Sequence, residues 1–114
     1  MHEVSLAGGI VKLIEDEAAR QSFRRVTRLC LEVGALSGVE VEALRFAMSA
    51  QQHGTVLEGA LIEIETPDAT AWCMDCAATV GIRSRLDACP RCGGNHLQPT
   101  GGTELRLREF FVVD

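Results

Sequence analysis

Cys73-Met74-Asp75-Cys76 and Cys89-Pro90-Arg91-Cys92 are two Cys-x-x-Cys pairs, joined by residues 77–88. Pairs so spaced can bring four thiolates to the corners of a tetrahedron, the arrangement taken by structural zinc. Two disulfides or a redox pair are the other uses of such cysteines. Disulfides belong to oxidising compartments, and no basic segment followed by an apolar run of the secretory kind opens the chain. A thioredoxin-type pair opens a helix after a strand, whereas these pairs stand in a loop-rich segment. Zinc is the better reading.

The residues around the cysteines point the same way. Trp72, Val80, Ile82, Leu86 and Leu97 are nearly all the large apolar residues between Pro67 and Thr103. A core that small does not offset the entropy of ordering about thirty residues, but metal binding at roughly 10–16 kcal/mol does. Four protein ligands also close the coordination sphere, so the zinc is expected to be structural and not catalytic. His96, four residues after Cys92, is an alternative ligand for a three-cysteine, one-histidine site, although a solvent-facing loop histidine is the simpler reading.

The 114 residues suffice for one ordinary domain plus a small module. No apolar stretch is long enough to span a membrane. A formal net charge of −5, with Arg83, Arg85 and Arg91 balanced by Asp68, Asp75 and Asp87, argues against a nucleic-acid partner. Cys30, the one cysteine outside the pairs, lies in an apolar strand and reads as a small buried hydrophobe. A free thiol with no leader suits a reducing cytoplasm.

Along the chain, apolar residues at Val4, Ala7, Val11, Ile14 and Ala18, widened by Leu6, Ile10 and Leu13, give an amphipathic helix over 4–19. Gly8 and Gly9 weaken it and suggest close packing against a neighbour. Residues 25–33 alternate as a strand, with Leu29, Leu31 and Val33 on one face. Ser37 and Glu40 have capping-box spacing, with Leu36 and Val41 as a hydrophobic staple, ahead of a second helix that buries Val41, Leu44, Ala47 and Met48. A second strand covers 60–66 and a third 104–113. The run Phe110-Phe111-Val112-Val113 breaks the alternation of the third, as a bulge or a terminus packed on both sides would. The expected fold is α+β: a small three-stranded sheet with two helices plus an inserted four-cysteine zinc ribbon. Residues 1–67, completed by a strand at 103–114, form one domain, and 68–102 form the ribbon.

The catalytic inventory is thin, which argues against an enzyme. There is no Tyr, no phosphate-binding loop and no nucleophile elbow, and neither His53 nor His96 stands beside an obvious nucleophile. His2 is different. A bulky second residue should keep the initiator methionine, so the α-amino group of Met1, the backbone nitrogens of His2 and Glu3 and the His2 imidazole could surround a metal in a plane. Nitrogen donors in a square plane select Ni(II) or Cu(II). The first amides of a helix lack intrahelical acceptors, so a metal there breaks no helical hydrogen bond, and the Glu3 carboxylate offsets the positive end of the helix dipole. An ordinary polar helix start is the alternative.

Met1-His2-Glu3-Val4-Ser5-Leu6, an amphipathic helix, Leu31-Glu32-Val33-Gly34 and the two cysteine pairs, at these positions in a chain of this length, resemble the HypA/HybF family of hydrogenase nickel-incorporation proteins. The resemblance implies a nickel metallochaperone for nickel-iron hydrogenase maturation. It implies Ni(2+) held by His2 with Met1 and Glu3, and Zn(2+) held by Cys73, Cys76, Cys89 and Cys92. Implied partners are a nickel-binding GTPase accessory protein, the hydrogenase large-subunit precursor and, in some relatives, urease maturation proteins. The chain departs from the commoner family pattern at Ala77, where many members have Gly. A monomer or weak homodimer in the cytoplasm is expected. The competing classes are a zinc-ribbon docking module that binds no nickel, which leaves Met1-His2-Glu3 without a role, and a zinc-dependent hydrolase, which needs an open coordination position.

Overall fold

The computed structural model describes residues 2–113, and its chain divides into two compact units. The first comprises residues 1–31, 39–65 and 107–114, and the second residues 32–38 and 66–106.

In the first unit, α1 (His2–Gln21) runs two residues beyond the expected helix at either end. It buries Ala7, Ile10, Ile14 and Ala18, one helical face at three- and four-residue intervals. Val4 and Leu13 are half exposed, so the inward stripe is narrower than the apolar pattern suggests. The helix packs against α2 (Val41–Gln51), which buries Leu44, Ala47 and Met48. The two glycines of α1 are not equivalent. A Cβ on Gly8 would lie 3.3 Å from Gln51 Oε1 on α2, whereas Gly9 faces open space. Only Gly8 marks a close approach.

The start of α2 differs from the expected capping box. Glu40, not Ser37, is the N-cap, and its carboxylate accepts the N–H groups of Glu42 and Ala43. The reason is Gly38, whose φ of +77° is incompatible with the first helical position that the box requires. Leu36 also makes no staple; it packs on the core of the second unit.

Strands β1 (Arg25–Val33) and β2 (Leu61–Glu65) form a three-stranded sheet with a C-terminal strand, in which β1 is central and the C-terminal strand lies on its other side. Leu29 and Leu31 of β1 are fully buried. Cys30 is buried as expected, and its thiol lies 3.3 Å from Glu63 Oε1, which also accepts from Arg28 Nε at 2.8 Å. The C-terminal strand continues to Val113 but is not packed on both sides. Phe111, Val112 and Val113 are 41–48 % exposed, while Phe110 meets the buried Phe23 ring at 5.7 Å. Arg28 covers the Phe111 ring, a cation–π contact that lets the aromatic stay at the surface.

The second unit has more regular structure than the loop-rich insert expected. β3 (Ala69–Cys73), β4 (Ala78–Ile82) and β5 (Leu97–Gly101) make a second three-stranded antiparallel sheet with β3 in the middle; the C-terminal strand described above is therefore β6 (Leu105–Val113). Pro99 is tolerated because β5 lies at the edge, opposite a register shift at Thr70/Ala71. The core is Ala69, Ala71, Cys73, Val80, Ile82 and Cys89, with Ala35, Leu36, Cys76 and Leu97 against it. Trp72 and Leu86 were expected among these residues but are 42 % and 94 % exposed. β3 turns its small odd-numbered residues inward, which sends Trp72 outward, and Leu86 sits on a turn held by Asp87 Oδ2, which accepts the Arg83 and Ser84 N–H groups.

The connection from β1 to α2 belongs to this second unit. Gly34 N–H donates to Glu104 O, Ala35 N–H to Pro67 O and Leu36 N–H to Gly102 O. Glycine is required at both ends of one crossing: a Cβ on Gly34 would fall 2.3 Å from Gly102 O, and one on Gly102 would fall 2.5 Å from Ala69 Cα. Gly102 has in addition a φ of +89°.

Candidate metal centre

The two cysteine pairs are held by different elements of the second unit. Cys73 closes β3 and Cys76 lies in the turn to β4, while Cys89 and Cys92 stand in the loop that leads to β5. Cys89 N–H donates to Gly94 O, Gly93 N–H to Cys89 O and Met74 N–H to His96 O, which folds the second pair back towards the first.

Four sulfurs converge there. All lie within 4.8 Å of one another, with Cys73 Sγ 3.7 Å from Cys92 Sγ and Cys76 Sγ 3.9 Å from Cys89 Sγ. Tetrahedral coordination at a Zn–S distance of about 2.3 Å requires sulfurs about 3.8 Å apart, which the Cys73–Cys92 and Cys76–Cys89 spacings match. Those spacings do not fit disulfides, whose sulfurs approach to about 2.05 Å. Cys73 and Cys89 are buried, Cys76 is half-buried and Cys92 is exposed.

Backbone amides prepare the sulfurs for negative charge. Cys76 N–H points at Cys73 Sγ, Arg91 N–H at Cys89 Sγ and Gly94 N–H at Cys92 Sγ, each at 3.4 Å. These contacts were not foreseen from the spacing of the cysteines. The electrostatics of the bare cluster separate the thiols. Amide contacts, led by that of Cys92, lower Cys89 to about 6, whereas hydrogen bonding to Cys92 and then burial push Cys76 up to about 12. Crowded thiols do not all ionise without a cation among them, which is the condition for metal-dependent deprotonation.

His96 is not part of the cluster. It is exposed, and its Nδ1 lies 2.9 Å from Asp75 Oδ2. Among the described residues, the four cysteines are the one group of three or more His, Cys, Asp or Glu side chains arranged to hold a metal.

Ala77 follows the first pair with a φ of +51°, a left-handed conformation that disfavours a side chain. A glycine would adopt this conformation without that cost. Replacing Ala77 with Gly should relieve about 1–2 kcal/mol of strain while adding about 0.4–1 kcal/mol of unfolded-state entropy, a net stabilisation of about 0.5–1 kcal/mol. A rise in the thermal midpoint of the metal-loaded protein checks it; an unchanged or lower midpoint would show that the turn bears no strain.

The residues singled out at the N-terminus lie apart in role. Met1 is outside the described residues. His2 is the first residue of α1 and is exposed. Glu3 is half-buried, and its Oε2 accepts the Glu40 N–H at 2.9 Å. That bond, followed by contact with its own backbone N–H, holds the Glu3 carboxyl below the usual carboxylate range. The part played by Glu40 is masked in the sequence because Ser37 has the spacing of a cap; the signal against that cap is Gly38.

The HypA family model, described as hydrogenase/urease nickel incorporation, metallochaperone, matches residues 1–112. The chain is 58 % identical over 114 residues to the hydrogenase maturation factor HypA of Cupriavidus necator, covering 100 % of this chain and 96 % of that protein. It is 57 % identical over 114 residues to the factor of the same name from Polaromonas naphthalenivorans, with 100 % and 99 % covered. The solution structure of the Ni metallochaperone HypA from Helicobacter pylori aligns with a TM-score of 0.68 over 97 % of each chain at 19 % identity, a likeness of fold. A four-cysteine metal site on this fold, with relatives matched over essentially their whole length, places the chain in the HypA family of hydrogenase/urease nickel-incorporation metallochaperones.

Proposed function

We infer that the chain binds Ni(II) at its N-terminus, through the Met1 amine, His2 and the backbone at Glu3, and hands it to a nickel-iron hydrogenase under maturation. As a member of a metallochaperone family it carries a metal and does not turn over a substrate. Cys73, Cys76, Cys89 and Cys92 hold a structural zinc ion, which leaves them no open position for cargo. The observation that carries the nickel reading is the exposed His2 at the first position of a 20-residue helix, where the leading amides have no helical acceptor. Nickel is the cargo: nitrogen donors at a chain end favour it over zinc, and a terminus can release it.

The partners that fit are a nickel-binding GTPase accessory protein, which would exchange the ion, and the hydrogenase large-subunit precursor, which would receive it. Urease maturation proteins are a second destination consistent with the family's description. No helix among the described residues is long and apolar enough to cross a membrane.

Adding three glycines before Met1 tests the site, because it moves the α-amino group away without touching any side chain, whereas a single added residue would put the histidine third from the amine and create a planar nitrogen site of its own. Nickel titration of the untagged and extended proteins should give one nickel per chain in the first and a loss of at least about tenfold in affinity in the second, with equal zinc content. Equal nickel binding by both would remove the amine from the site, and no nickel in either would leave a zinc-ribbon docking module.

A further inference from the structure

We propose that the free edge of β4 is a self-association surface: it pairs with the same edge of a second copy, antiparallel and centred on Val80, and joins the two three-stranded sheets into one. The contact lies wholly in the second unit and stands whether or not the N-terminus binds nickel.

Each three-stranded sheet has two edges, and a strand there presents backbone N–H and C=O groups to no partner strand. Proteins blunt such edges with charge or proline. Among the described residues, three of the four edge strands are blunted in this way. β2 carries Glu63 and Glu65, β6 carries Arg106, Arg108 and Glu109, and β5 carries Pro99. β4 is Ala78-Thr79-Val80-Gly81-Ile82, with neither device. β3 pairs with it along its whole length on one side, and no strand pairs with the other. An unblunted edge of this kind is a template for a further strand.

The sequence of β4 selects a second β4 as that strand. An antiparallel pair centred on Val80 sets Val80 against Val80 of the second copy, Ala78 against Ile82 and Thr79 against Gly81, so each small residue meets a larger one and no charge is involved. Val80 and Ile82 are buried and Ala78 is half-buried, whereas Thr79 and Gly81 are exposed, so the two-fold axis continues each face of the sheet without mixing them. The same operation centred on β2 sets Glu63 against Glu63, and on β6 it sets Glu109 against Glu109. Charge also fixes the direction. β4 begins two residues after Cys76, and the metal-loaded cluster is net negative because four thiolates outweigh one Zn(II). Antiparallel pairing keeps the two clusters at opposite ends of the contact and turns Arg85 of one copy toward the cluster of the other, whereas a parallel pair would set the clusters side by side. Five residues span about 17 Å, an edge too short to bury the roughly 1,200 Å² of a stable interface, so the dimer is weak and depends on concentration.

Gly81→Lys blunts the edge and leaves the monomer intact, because a Cβ there lies 3.8 Å from Asp68 Oδ2 and 3.9 Å from Ala69 O, ordinary contacts. The double variant Thr79→Glu with Gly81→Lys sets a carboxylate opposite each ammonium across the two-fold axis. The zinc-loaded full chain and both variants, matched for zinc content, are compared by sedimentation equilibrium from about 5 µM to about 1 mM, the range in which so small an interface is occupied. Gly81→Lys should weaken self-association by about tenfold or more, and the double variant should regain at least about fivefold. Amide exchange of alternate β4 residues in the original protein should slow as concentration rises, a reading of the contact that needs no variant. A chain that is monomeric throughout overturns the proposal and leaves the edge to a strand of another protein. A dimer that Gly81→Lys does not weaken, or β4 exchange indifferent to concentration, places the interface elsewhere and overturns it as well. A loss that the double variant does not recover overturns the register centred on Val80.

Discussion

A chain carrying both Cys76→Ala and Cys92→Ala is expected to hold no zinc and to lose the structure of residues 66–106, while α1 and α2 keep their helical signal. Removing one cysteine from each pair leaves two sulfurs, too few to retain the ion. Cys76 and Cys92 are the half-buried and exposed members of the cluster, so the substitutions barely disturb the apolar packing provided by Cys73 and Cys89. Any collapse then reports on the metal. The expectation rests on how little else the unit buries: of its six core residues only Val80 and Ile82 are large and aliphatic, the others being alanines and cysteines. Ordering a residue costs about 1–2 kcal/mol of backbone entropy, and a core of that size does not offset it across some forty residues. Zinc binding at about 10–16 kcal/mol does. Amide hydrogen exchange, read segment by segment with zinc content measured alongside, checks this. Retained protection in β3, β4 and β5 without metal would mean that the sheet folds on its own and that the zinc has another purpose.

The legibility of this chain varied with the range of the interaction involved. Helices, strands of the first sheet and the four cysteines could be read from periodicity and spacing, because each depends on residues close in sequence. The second sheet was less legible: its inward residues are Ala69 and Ala71, which carry little hydrophobic signal, while the conspicuous Trp72 points outward. The alternation was present in Ala69-Thr70-Ala71-Trp72-Cys73, but small side chains on the inner face made it look like loop. The α2 cap failed for a different reason. Ser37 and Glu40 have the right spacing for a capping box, and the backbone conformation of Gly38 between them forbids it. The Glu3–Glu40 bond joins residues far apart in sequence, and no local pattern announces it. The place of His2 beside Met1 already suggested a planar nitrogen site for Ni(II) or Cu(II), and the family resemblance added that the metal is nickel.

Replacing His2 with Ala is expected to reduce nickel affinity by on the order of 10²-fold or more and to leave one zinc per chain and an unchanged fold. The size follows from comparison with weaker perturbations: altering groups that only orient metal ligands costs about 10–100-fold, and a lost ligand should cost at least that. The imidazole is also the one side-chain donor in the inferred set that backbone nitrogens cannot replace, and without it Ni(II) keeps a water in a position suited to nitrogen. The fold should be indifferent, since His2 is exposed at a helix end and alanine is the best helix former. Zinc should be equally unaffected, because the cysteine cluster contains no residue of α1. Acidification should mimic the substitution in part: nickel displaces protons from the amine and amides, so affinity falls as protons compete, and His2→Ala should flatten that dependence by removing one competing site. Calorimetric nickel titrations of both proteins at several pH values, with elemental analysis for zinc, test all of this together. Nickel binding that survives His2→Ala undiminished would move the cargo site away from the N-terminus, and zinc lost along with nickel would mean that the two metals depend on one another.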